Sequence, residues 1–215
     1  MNTKTILGIS LTAAFAVSLI FAQNAFAGID NDWLVVTDSD VEANGNNVLY
    51  SAITLADIPH VDDDRLLGVL DSGYPVAGFA WLDVDTSSLS TINFAGATIH
   101  PEVVDSRQNP DNWHPHTGEL IIVEDQANDL ILCVNSLESP HAGIAINGDQ
   151  IRMNMKANSA TVLPDEDEGA TGFFLQVNDD CPNPTDVDLP GNGLKPNIVS
   201  PPLPGLEVIA WPPAG

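Results

Sequence analysis

Hydrophobic and polar residues alternate or cluster along this chain in short runs, each closed by Gly, Asn, Asp or Pro. A period of two marks strands with one face buried. The pattern predicts strands at Asp32–Thr37, Asn47–Thr54, Val76–Val84, Thr91–His100, Glu119–Val123, Leu130–Ser136, Gly143–Ile146, Gln150–Lys156 and Gly172–Val177, with a last one at Leu206–Trp211. Two hairpins are well marked. Leu120–Val123 and Leu130–Cys133 flank an Asp/Gln/Asn-rich turn, and Asn147-Gly148 joins two alternating runs. Only Asp57–Leu70 carries a weak helical stripe, through Ile58, Val61, Leu66 and Leu70. So many strands with so little helix predict an all-β protein, a single β-sandwich domain of immunoglobulin-like or jelly-roll-like kind.

The two ends have a different texture. Lys4, the uncharged run from Thr5 to Ala22 and the small-x-small site Ala25-Phe26-Ala27 predict a cleaved export signal over residues 1–27. A retained membrane anchor is the competing reading, because that run just reaches the lower limit for a spanning helix. The abrupt change to acidic sequence at Gly28 favours cleavage. Residues 28–180 then form the sandwich, and the Pro/Gly-rich stretch 181–215 is expected to be an irregular, extended tail.

Charge narrows the partners. The chain carries 30 Asp and Glu against 6 Lys and Arg, a net charge of −24. Such a surface repels nucleic acid and anionic lipid and attracts divalent cations or basic partners. Solubility in saline surroundings explains the same charge without a specific role. The runs Asp62-Asp63-Asp64, Asp83-Val84-Asp85 and Asp165–Glu168 offer hard oxygen ligands for weak calcium binding. None has the spacing of a calcium loop, and a solvated charge run accounts for them better.

Cys133 and Cys181 are the only cysteines. In an oxidising compartment a disulfide between them is the default, with free thiols or a copper–thiolate ligand as alternatives. The residues best suited to chemistry are histidines: His100, His114 and His116, followed by His141 in Ser139-Pro-His-Ala-Gly143. A His-x-His pair on extended backbone points both rings to one face, a spacing that suits copper or zinc, with copper slightly ahead from the intrinsic affinity order. Glu102 or Asp111 is placed to orient a ring from behind. The plainer reading is that His100-Pro101 and His114-Pro115 merely shape loops. Met153 and Met155 are read as thioether ligands or, more simply, as an inward apolar strand face. Trp33, Trp81, Trp113 and Trp211 suit a sugar-stacking surface or, more commonly, core positions. The chain has no nucleophile elbow, zincin, P-loop or dinucleotide motif.

The leader Met1–Ser10 and the stretch from His100-Pro101 through Asp105-Ser-Arg-Gln-Asn-Pro110 to Trp113-His114 and His116-Thr117 resemble small exported proteins of ammonia-oxidising archaea, over about a third of the chain. That group supplies no catalytic residues to carry over. The resemblance implies a copper-rich extracytoplasmic setting. The sequence therefore predicts an exported, acidic binding protein that takes copper or zinc through its histidines. The alternatives are a metal-dependent enzyme using the same residues, or a calcium-using structural or adhesive module of the cell envelope.

Overall fold

Apolar side chains on alternate positions must be covered, and in this chain two sheets cover one another. The computed structural model describes residues 31–66, 76–83, 91–100, 112–164, 168–184 and 193–199. The expected signal at 1–27, the strand at Leu206–Trp211, Trp211, Asp85, Glu102 and Asp111 lie outside the described residues, as does most of the Asp165–Glu168 run.

Ten strands run through the described residues: β1 (Val36–Asn44), β2 (Asn47–Thr54), β3 (Val76–Asp83), β4 (Thr91–Ile99), β5 (His114–Glu124), β6 (Leu130–Glu138), β7 (Ala142–Asn147), β8 (Gln150–Lys156), β9 (Glu168–Asn178) and β10 (Gly193–Ile198). They form an antiparallel four-stranded sheet, β1-β2-β8-β7, and an antiparallel six-stranded sheet, β10-β9-β3-β4-β5-β6. The all-β sandwich is thus the architecture, divided four strands against six.

The small sheet has one wet face. In β2 every second residue is buried and in β8 Ile151, Met153 and Met155 alternate with exposed Arg152, Asn154 and Lys156. The two methionines are fully buried in the core between the sheets, as their apolar spacing allowed. Opposite them, the large sheet contributes Ala77, Phe79, Trp81, Ala95, Ala97, Ile99 and Phe174. Polar handles on the aromatic residues find partners across this layer. Trp81 Nε1 donates to the Ser51 carbonyl at 3.0 Å, and the Tyr50 hydroxyl donates to the Val162 carbonyl at 2.6 Å. Burial pushes the Tyr50 phenol well above its ordinary titration range.

The large sheet is buried on both faces, which explains why β3 reads as an almost unbroken apolar run, Val76-Ala-Gly-Phe-Ala-Trp-Leu. Its second face presents Ala80, Leu82, Ile92, Phe94, Leu120, Val134, Phe173 and Leu194 to a separate core. The sheet curls until its two outer strands, β10 and β6, touch, so it wraps this core in the manner of a partial barrel. A bulge assists the curl: Glu119 pairs with Ser136 but Leu120 pairs with Val134, which leaves Asn135 extra. The extra residue lets Val134 and Leu137, three apart, both face inwards.

Several sequence expectations shift. Asp32–Leu34 is a 3-10 turn rather than strand, with Trp33 and Leu34 both fully buried. The strand there begins at Val36 and continues to Asn44. Residues 64–66 form a short helical turn in the expected helix of 57–70, with Leu66 buried and 67–70 outside the described residues. Nor is residue 181 the start of an irregular tail. Cys181 is bonded to Cys133 with Cα atoms 5.5 Å apart, and Gly193–Ile198 adds β10 to β9. Proline is tolerated at position 196 because β10 is an edge strand, where an unbonded backbone position is available. The disulfide packs with Ile131 on the outer face of β6.

Candidate metal centre

The histidines come together because β4 ends where β5 begins. Thr98 pairs with His114 and Gly96 with His116, so Thr98, His100, His114 and His116 fall on the same face of the sheet. That face is the one turned into the partial barrel, since Thr98, His100 and His116 line its cavity. The residues between them face the other way. Trp113, next to His114, lies against Phe79 with ring centroids 5.6 Å apart and against Trp33 at 6.3 Å, while its Nε1 donates to the Pro59 carbonyl at 3.3 Å. Trp113 is therefore part of the packing that fixes the histidine segment, not an open sugar-stacking platform. The sequence expected β5 to begin at Glu119. It begins five residues earlier, and the His-x-His pair is strand rather than loop.

All three rings are buried: His100 is 1% exposed, His114 1% and His116 2%. Each offers a ring nitrogen, and these atoms lie within 4.8 Å of one another. Ring centroids are 4.3 Å apart for His100–His114, 4.9 Å for His114–His116 and 6.2 Å for His100–His116.

Backbone carbonyls set the tautomers. His114 Nδ1 donates to the Asn112 carbonyl at 2.8 Å, and His116 Nδ1 donates to the Glu138 carbonyl at 3.3 Å, with Ser139 Oγ 3.4 Å away. A carbonyl only accepts, so in the neutral ring the proton sits on Nδ1 and the Nε2 lone pair is left for another partner. For His114 that partner is His100 Nε2, 2.6 Å away, with the Thr98 hydroxyl at 3.4 Å. An imidazole held from behind by a backbone carbonyl has the usual arrangement of a metal-ligating histidine. The sequence looked to carboxylates, Glu102 or Asp111, for this role. The carbonyls of Asn112 and Glu138 fill it for His114 and His116.

His100, His114 and His116 could thus hold a metal ion. His141 is not one of the group. It is exposed, and it precedes β7, a strand of the other sheet. The fifth histidine, His60, is also exposed. In the acidic runs, Asp63 is taken up by Arg65, whose Nη2 lies 2.8 Å from its carboxylate and holds it below the usual carboxylate range. Cys133 and Cys181, being disulfide-bonded, are not thiolate ligands.

Beyond the histidines lies something for which the sequence gave no sign. The barrel side of the large sheet forms a partly open cavity of about 190 Å³ with an almost wholly apolar lining, and His100 and His116 form part of its wall. Among the described residues no helix is long and apolar enough to cross a membrane. Comparison with protein-family models, with curated proteins and with solved structures finds no match for this chain.

Proposed function

We propose that this is an exported, acidic metal-binding protein whose centre is His100, His114 and His116, with copper or zinc as the ion. One observation carries the reading: two buried rings, His114 and His116, are held at Nδ1 by backbone carbonyls, and one ring nitrogen of each of the three histidines lies within 4.8 Å of the others. A purely structural trio would not need three polar rings in an apolar interior, where each buried polar group requires its own partner.

Three neutral imidazoles suit borderline ions such as zinc and copper(II) far better than calcium or magnesium, which take oxygen ligands. Three protein ligands also leave a fourth position for another group, the coordination of a reactive rather than a purely structural site. The 2.6 Å contact between His100 and His114 is a hydrogen bond. Two nitrogens bound to one tetrahedral ion at about 2.05 Å stand roughly 3.3 Å apart, so metal binding replaces that hydrogen bond and parts the rings by less than about 1 Å. Export supports the choice of ion, since the leader-like residues 1–27 and the disulfide both suit an oxidising compartment.

Elemental analysis of protein purified without an affinity tag tests the reading. One equivalent of copper or zinc is expected in the native protein, and a large loss in His114→Ala and His116→Ala. Substoichiometric metal that does not change in these variants, even after reloading with either ion, would overturn it.

A further inference from the structure

A metal centre with an open position has a function only if something can reach that position. The placement of the cavity addresses this. His100 and His116 belong both to the triad and to the cavity wall, whereas His114 belongs to the triad alone. All three rings lie on the barrel side of β4 and β5, while Trp113 and the inter-sheet core fill the other side. Among the described residues, the barrel interior is therefore the side from which a fourth ligand can approach an ion held by them.

The cavity specifies the chemistry of its occupant. At about 190 Å³ it exceeds an engineered apolar cavity of roughly 150 Å³ that stays dry and takes up benzene. Leu82, Phe94, Leu120, Val134, Phe173 and Leu194 supply walls with nothing to hydrogen-bond. The polar side chains among its lining residues, Thr98, Thr171, His100 and His116, include both histidines of the wall. A charged or many-armed polar molecule would lose its hydration without replacement. A small ring with a single donor atom would bury its apolar body and turn that atom to the metal.

We propose that the barrel cavity is a binding pocket for a small, uncharged, largely apolar molecule of about benzene size, whose one nitrogen, oxygen or sulfur donor completes the coordination of the ion at His100, His114 and His116. This rests on the metal-binding reading above. It goes beyond it by naming the ligand class and by placing the protein's selectivity in the barrel lining.

Pyridine and benzene are suitable probes, since they share a shape and only pyridine has a donor. Titration calorimetry is done on the full chain, zinc-loaded and chelator-treated, with zinc stoichiometry measured in parallel. The expected result is that pyridine binds the zinc-loaded protein at least about tenfold more tightly than the metal-free protein, while benzene binds both forms alike. Val134→Phe fills the pocket without altering a histidine; it should keep the zinc and lose the pyridine binding. Leu137→Phe serves the same purpose if the first variant fails to fold. Equal pyridine affinity in wild type and in a folded, zinc-loaded filled variant overturns the proposal, since the metal is then reached from elsewhere. Full zinc occupancy without any gain in pyridine affinity also overturns it, and leaves the metal-binding reading intact. Failure to retain zinc at all removes both.

Discussion

His114 Nε2 lies 2.6 Å from His100 Nε2, which joins the end of one strand to the start of its neighbour through two buried rings. Neither ring reaches solvent, so the pair is either a hydrogen-bonded link or one edge of a metal centre, and the ion decides which. Adding metal should therefore stabilise the folded protein by mass action. At a free zinc concentration a hundred times the dissociation constant the gain is about 2.7 kcal/mol, a rise of roughly 5–10 °C in Tm for a domain of this size. His116→Ala should abolish the rise. His141→Ala, at an exposed position, should retain it. Differential scanning fluorimetry with and without zinc checks all three.

Tyr50 gives the protein a defined weakness at high pH. Its buried hydroxyl donates to the Val162 carbonyl, and burial raises its folded-state pKa above that of the unfolded chain. The unfolded phenol loses its proton first, so this contribution to stability is complete below about pH 10 and is lost progressively as the pH rises further. Tyr50→Phe should cost about 1–3 kcal/mol at pH 7, because it leaves a buried carbonyl unsatisfied. It should also flatten the stability profile above pH 10. Urea midpoints taken from pH 7 to 11 report both effects.

The Cys133–Cys181 bond closes a loop across a sequence separation of 48 residues. Chain-entropy bookkeeping assigns it about 4 kcal/mol, before any strain. Cys133→Ala/Cys181→Ala should lower the urea midpoint and raise the m-value, because the denatured chain without its cross-link exposes more surface. Reductant should shift the wild type and leave the double variant where it is.

Gly172 sits where the backbone of Leu34 crosses β9, and a Cβ there would collide with the Leu34 carbonyl. Gly172→Ala should cost at least about 2 kcal/mol, since backbone rather than a mobile side chain must move. Gly143→Ala is the control, because a Cβ at that position would meet nothing within 4 Å. It should change stability by no more than about 0.5 kcal/mol. Thermal unfolding of the two variants side by side separates close packing from the general cost of replacing glycine in a strand.

Local pattern is enough for most of the fold. Asn47–Thr54 and Gln150–Lys156 have the predicted bounds, because in these two strands burial follows strict alternation and alternation is visible in sequence. The turn before β8 is legible for a similar reason: Gly148 takes a φ of 63° in its two-residue loop, which glycine adopts without penalty. Pairing of the only two cysteines follows from their number and setting. Two regions carry mixed signals that mislead. His114-Pro115-His116 looks like a loop because of its proline, yet it is strand, and β10 is hidden among prolines although Leu194, Pro196 and Ile198 alternate inwards.

By itself, then, the sequence determined an all-β sandwich, its two hairpins and four histidines worth watching, since all of these rest on residue type and short-range periodicity. Tertiary structure decided which histidines meet. His100 and His116 are separated along the chain but come together through the β4–β5 register, while His141 departs with the crossover to the other sheet. It also created the cavity, which depends on how far six strands curl and on one bulge at Asn135. Curl and closure are properties of the whole sheet, summed from small twists over many residue pairs, and no local run of residues encodes them.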